Sequence, residues 1–107
     1  MSRYQIPTRE LRYACVVGWD PPLGTFFARI EDTTVAVEDP RREVLWVGTG
    51  LHELVTVDAL ANAIAAYAVL PLALYQQLAS EHRTIGFRPT FGTRILQDLG
   101  WDSTEDV

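Results

Sequence analysis

The chain has 107 residues, of which 48% are hydrophobic and 21% are charged, and its formal net charge is −5. This length predicts one domain, and the balance of apolar and charged residues excludes a wholly disordered chain. The negative net charge disfavours direct binding to the phosphate backbone of DNA or RNA.

The sequence also indicates in which compartment the protein is expected and whether it associates with a membrane. No apolar run approaches the roughly 20 residues that a membrane-spanning helix needs. The N-terminal residues lack the apolar segment of a secretory signal, so we expect a cytoplasmic protein without membrane attachment. Cys15 is the single cysteine, which excludes an internal disulfide and a cysteine-based metal cluster. Every basic residue is arginine and alanine is abundant, as is typical of a GC-rich bacterial genome.

The first half of the chain predicts three strands. An irregular N-terminal arm, residues 1–9, precedes a first strand at about 11–18 that is apolar on both faces. A second strand at about 25–31 alternates between apolar and polar residues, and its Phe27 falls on the polar side, as a cover for the sheet or as an exposed contact. A third, continuously apolar strand follows at about 44–48. Connections of hairpin length between the strands indicate an antiparallel sheet.

The second half of the chain predicts helices. Apolar residues at helical spacing predict one helix at about 57–69, with Thr56 as its N-cap, and a second at about 71–83. A short C-terminal helix is predicted at about 93–99, and an acidic tail follows at 102–107.

Residues 1–107 are therefore predicted to form a single α+β domain in which a small three-stranded antiparallel sheet carries two helices on one face. The apolar second face of the first and third strands predicts that this face is covered as well, either by the C-terminal segment 87–101 or by a second subunit. The edges of a small open sheet are sites for strand pairing, so we expect homodimerisation.

Motifs for catalysis, cofactors and metals are weak. The Gly48-Thr49-Gly50 turn lacks the third glycine of a dinucleotide-binding fingerprint. Cys15 lies on a central strand, where a buried thiol is inert. His52 and His82 have no partner at metal-ligand spacing, and each is expected to be structural. The sequence predicts no catalytic residue, no metal and no cofactor, and it favours a non-catalytic protein.

One candidate partner-binding site is the connection Trp19, Asp20, Pro21 and Pro22 together with Phe27. The two prolines stiffen this loop, and aromatic residues on a preorganised loop are frequent anchors of protein interfaces. The alternative is that Trp19 closes one end of the core while Asp20 caps the turn through backbone amides.

A second candidate site is the basic and aromatic segment near the C-terminus, which places three arginines at Arg83, Arg88 and Arg94. Arginines interleaved with aromatic rings are suited to contact an anion or another ligand. The alternative is that the aromatic rings pack on the sheet and the arginines pair with nearby acids.

We predict from these features a small accessory or regulatory protein that acts by protein–protein interaction. Its acidity makes a basic surface the natural partner, including a nucleic-acid-binding protein whose DNA groove it would block. The competing prediction is a small-molecule-binding protein or small enzyme, with a pocket between the sheet and the helices. The residues expected to line that pocket are Tyr67, Tyr75, Trp46 and His82.

Overall fold

The computed structural model describes residues 2–88, which form a four-stranded antiparallel sheet and two α-helices. The strands follow one another across the sheet in chain order. They are β1 (Tyr4–Ile6), β2 (Tyr13–Asp20), β3 (Thr25–Asp32) and β4 (Glu43–Val47), the last preceded by a 3-10 turn at Pro40–Arg42. The helices are α1 (Val57–Ile64) and α2 (Leu72–Thr84). The helix predicted at 93–99 and the acidic tail at 102–107 lie outside the described residues.

The α+β class, the antiparallel sheet and the two helices are confirmed, but the predicted number of strands is wrong. The additional strand, β1, lies within the segment 1–9 that was expected to be an irregular arm. It is only three residues long and contains Gln5, so it is too short to show the alternation that identifies a strand. Pairing holds it in place, since Tyr4 lies opposite Val17 and Ile6 lies opposite Cys15 on β2.

Helix α1 begins as predicted but ends five residues early. The Thr56 hydroxyl caps its N-terminus by accepting a hydrogen bond from the Ala59 amide at 3.1 Å. Beyond Ile64 the chain turns, and the Tyr67 carbonyl accepts a hydrogen bond from the Arg9 amide at 2.7 Å. These contacts with the N-terminal segment outweigh the helical propensity of the alanines that follow. Neither helix described here is long and apolar enough to cross a membrane.

The core lies between the helices and one face of the sheet. Alternate residues of β2 and β3 point towards the helices and are almost completely buried, as the period of two in a strand requires. From the sheet these are Cys15, Val17, Trp19, Phe26, Ala28 and Ile30, and from the helices Leu60, Ile64 and Leu78.

A β-bulge changes which side chains β4 presents to each face. Ile30 lies opposite Leu45 whereas Glu31 lies opposite Glu43, so Val44 is an extra residue without a counterpart on β3. Val44 and Leu45 consequently both pack against the core cluster. The next residue, Trp46, is directed to the opposite face, where it lies beside Arg29.

Candidate functional site

The face of the sheet that points away from both helices carries a concave surface of about 350 Å³. We call this surface the open-face depression. Its lining residues come from β2, β3 and β4 and from the segments that flank β1, β2 and β4. The lining residues are Arg3, Asp20, Leu23, Phe27, Arg29, Trp46, Gly48 and Thr49.

Phe27 lines the depression, and its ring occupies space beside Gly18 on the neighbouring strand that a side chain there would fill. The Phe27 side chain is only 8% exposed although it points away from the core. A Cβ atom at Gly18 would stand 2.7 Å from the Phe27 ring and 2.0 Å from the carbonyl oxygen of Ser2. A side chain on residue 18 would therefore displace both the Phe27 ring and the backbone at Ser2, which precedes β1.

Trp46 forms a wall of the depression and is 55% exposed. The Arg29 guanidinium carbon lies 5.3 Å from the centre of the Trp46 ring, which is cation–π distance. The Arg29 Nε lies 3.9 Å from a Glu31 oxygen and 3.7 Å from a Glu43 oxygen. Among the described residues this buried nitrogen has no hydrogen-bond acceptor. The arrangement fixes an aromatic ring at the surface beside a guanidinium group whose hydrogen-bonding capacity is only partly used.

The loop between β2 and β3 closes one end of the depression. The Asp20 carboxylate accepts a hydrogen bond from the Leu23 amide at 3.3 Å, which is the turn-capping contact of the alternative interpretation. The Pro21 carbonyl accepts a hydrogen bond from the Arg88 amide at 2.8 Å. Asp20 and Pro21 are buried and Pro22 is half-buried, so this loop is anchored at the surface rather than projecting from it.

Trp19, the central residue of the predicted partner-binding edge, lies inside the core. Its side chain is 1% exposed, and its indole N–H donates a hydrogen bond to the Gly86 carbonyl at 3.1 Å. The ring stacks on His82 at 4.5 Å between centroids and contacts Phe26 at 4.7 Å. The structure therefore separates the predicted pair of aromatics, with Trp19 in the core and Phe27 on the open face.

The other predicted site residues are not brought together. Arg88 donates a hydrogen bond from its Nε to the Ile85 carbonyl at 3.1 Å, and Arg83 is exposed on α2. Arg94 lies outside the described residues. Of the residues expected to line a pocket between sheet and helices, His82 packs on Trp19, whereas Trp46 lies on the opposite face.

A buried polar cluster that sequence reasoning missed joins β1 to α2. Glu81 is 6% exposed and accepts hydrogen bonds from the Tyr4 hydroxyl and from Gln77 Nε2, the latter at 3.1 Å. Burial raises the pKa of Glu81, but hydrogen bonds from Ser2, Tyr4 and Gln77 outweigh it, so the pKa lies below its ordinary value. The cluster links the first strand to the last helix, and helical spacing alone does not distinguish Glu81 from its exposed neighbours.

We expect Glu81→Gln to reduce the free energy of unfolding by about 1 kcal/mol at pH 7, because hydrogen bonds to a charged group become bonds to a neutral one. Because the pKa of Glu81 is lower in the folded state than its ordinary value of 4.5, the charged carboxylate stabilises the folded protein above pH 4.5. This stabilisation is lost as the pH falls through the pKa of the folded state. The difference between wild type and variant should therefore be smaller at a pH well below 4.5 than at pH 7. Urea unfolding at both pH values measures it, and an equal difference at both would contradict the assignment.

Catalytic and metal chemistry gain no support from the geometry of residues 2–88. Within that range no group of three or more His, Cys, Asp or Glu is arranged to hold a metal ion. Burial raises the pKa of Cys15 to about 11, so the thiol is not a nucleophile at neutral pH. Comparison with known protein families, curated proteins and solved structures finds no significant match. The open-face depression is thus the feature on which a functional proposal can be based.

Proposed function

We propose that this chain is a non-catalytic accessory or regulatory protein of the cytoplasm that binds a partner protein through the open face of its sheet. The observation that carries the proposal is a half-exposed Trp46 held beside Phe27 and Arg29 at a depression of about 350 Å³. Tryptophan, phenylalanine and arginine are enriched in protein interfaces, and tryptophan and arginine are enriched among the residues that contribute most binding energy.

The extent of the surface favours a macromolecular partner over a small molecule. A second groove of about 300 Å³ lies beside the depression and shares Arg29 with it as a lining residue. A small-molecule site typically encloses most of its ligand, whereas these two concavities lie side by side along a sheet face. A segment of a partner protein can occupy both at once.

Contact through the face is favoured over strand addition at the edge. Strand β4 is an edge strand of the described sheet, but the bulge at Val44 interrupts the regular spacing of its backbone groups. Glu43 places a charge at the start of the same strand. Bulges and charges are devices that protect edges from pairing, so the aromatic face is the better binding surface.

Photo-crosslinking tests the proposal in the organism that encodes the chain. We expect p-benzoylphenylalanine in place of Trp46 to give one discrete protein adduct. The same group in place of Leu72, which is exposed on the helical side, is the matched control and should not give that adduct. Arg29→Ala in the crosslinking variant should reduce the yield, because Arg29 packs on the residue at position 46. Equal adducts from both positions, or none from position 46, would contradict the proposal.

A further inference from the structure

The charges beside the open-face depression indicate what chemistry a partner segment should have, on the basis of the function proposed above. The adjoining groove, which we call the acidic groove, has a volume of about 300 Å³. It is lined by four carboxylates and two guanidinium groups, together with Val37 and Pro40. The charged residues are Glu31, Glu38, Asp39, Glu43, Arg29 and Arg42.

The four carboxylates of the acidic groove differ in how closely a cation pairs with them. Glu31 is paired with Arg42 at 2.8 Å and Asp39 is paired with Arg41 at 2.7 Å. Among the described residues Glu38 makes no ion pair. Glu43 forms an ion pair with Arg29, whose Nε lies 3.7 Å from the carboxylate, but this distance is too long for a hydrogen bond.

Trp46 lines the open-face depression, which shares Arg29 with the acidic groove, and its ring is a second group that attracts a cation. Its ring already attracts Arg29, which shows that the ring and a guanidinium group are compatible here. More than half of the Trp46 side chain is still exposed, so a further cation can approach it. Arginine suits this position better than lysine because its planar group stacks on a ring and also donates to a carboxylate.

The open-face depression itself is lined by apolar side chains and by side chains of opposite charge. Phe27 and Leu23 supply apolar surface, while Arg3 and Asp20 carry opposite charges. Arg29 is neutralised by the nearby carboxylates of the acidic groove. An uncharged apolar side chain is the group that fits such a surface without leaving a charge unpaired.

We propose that the partner binds through a basic and apolar peptide segment. Its arginine contacts Trp46 and Glu43 at the mouth of the acidic groove, and a neighbouring apolar side chain occupies the open-face depression against Phe27.

Three synthetic peptides test this inference on the ¹⁵N-labelled full chain. The probes are acetyl-Gly-Leu-Arg-Gly-Arg-Leu-Gly amide and its counterparts with citrulline or glutamate in place of arginine. The readout is the indole N–H signal of Trp46, assigned by its loss in Trp46→Phe. We expect the arginine peptide to shift this signal and to bind about tenfold more tightly than the citrulline peptide at low salt. The advantage should shrink at high ionic strength.

A double variant identifies the carboxylates. Glu38→Gln combined with Glu43→Gln should weaken binding of the arginine peptide about threefold or more, since two exposed charge contacts are removed. Glu10→Gln is the matched control, because Glu10 is also exposed but pairs with Arg12 in the connection between β1 and β2. It should leave the affinity unchanged.

The outcomes separate this inference from the proposed function. Equal binding of the citrulline peptide, or tighter binding of the glutamate peptide, would overturn a basic segment while leaving the open face as the binding surface. If none of the three peptides shifts the indole signal of Trp46 but a protein adduct forms at position 46, the basic and apolar partner segment is rejected and the open face remains the binding surface. An adduct with twice the mass of the chain would identify a second copy as the occupant. Failure of both the peptides and the crosslink would reject both proposals.

Discussion

Replacement of Trp19 by alanine is expected to lower the free energy of unfolding by about 3–5 kcal/mol, the range for removing a large aromatic side chain from a packed core. The Trp19 side chain is 1% exposed, and its ring contacts both His82 and Phe26. Truncation also leaves the Gly86 carbonyl without the indole N–H that donates to it. Unfolding in urea, followed by far-UV circular dichroism, measures the loss.

Trp46→Ala is the matched control for this prediction, because it removes the same side chain from an exposed position. Surface substitutions away from special features usually change stability by no more than about 0.5 kcal/mol. We therefore expect a difference of several kcal/mol between the two variants. Similar losses in both would show that Trp19 does not belong to the core or that Trp46 is not on the surface.

Gly48→Ala is expected to cost about 3 kcal/mol or more. Gly48 has a φ of +79°, and a Cβ atom there would stand 2.0 Å from the Phe26 carbonyl oxygen and 2.5 Å from the Phe27 Cα. The left-handed conformation costs an alanine about 1–2 kcal/mol. The clash adds to this cost because both neighbours are backbone atoms of β3, which no side-chain rotation can move away. Denaturant unfolding measures the total.

Gly86→Ala separates the two contributions. Gly86 also has a positive φ, +65°, but the nearest atom to its added Cβ would be the His82 carbonyl oxygen at 3.7 Å. This variant should lose only the conformational part, about 1 kcal/mol. If Gly48→Ala were no more destabilising than Gly86→Ala, the close approach of residue 48 to β3 would be wrong. The measurement therefore tests the geometry of the open-face depression, which Gly48 helps to line.

The elements predicted correctly are those with a clear local pattern. The alternation in residues 25–31 identified β3 and its core face, and Thr56 identified the start of α1. Strand β1 and the early end of α1 were missed because both depend on contacts between distant segments. The spacing of apolar residues within a short stretch of sequence carries no information about such contacts.

The candidate site was harder to predict, for two physical reasons. The four residues from Val44 to Val47 are all apolar, so no alternation assigns Trp46 to either face, and the bulge then shifts the phase of the strand. Trp19 was assigned to a loop edge, but β2 continues to Asp20 and carries it into the core. A tryptophan near a proline-rich turn has the same local sequence signature whether it is buried or exposed.

The buried link between β1 and α2 has a consequence for the order of folding. Tyr4 meets Glu81, and Trp19 meets His82 and Gly86, so the start of the chain depends on residues that are synthesised last among those described. Contacts of such long sequence separation form slowly, because a large loop must close before they contribute. During synthesis on the ribosome, Trp19 therefore stays uncovered until helix α2 has emerged. During that interval the nascent chain exposes apolar surface, which makes it prone to aggregation.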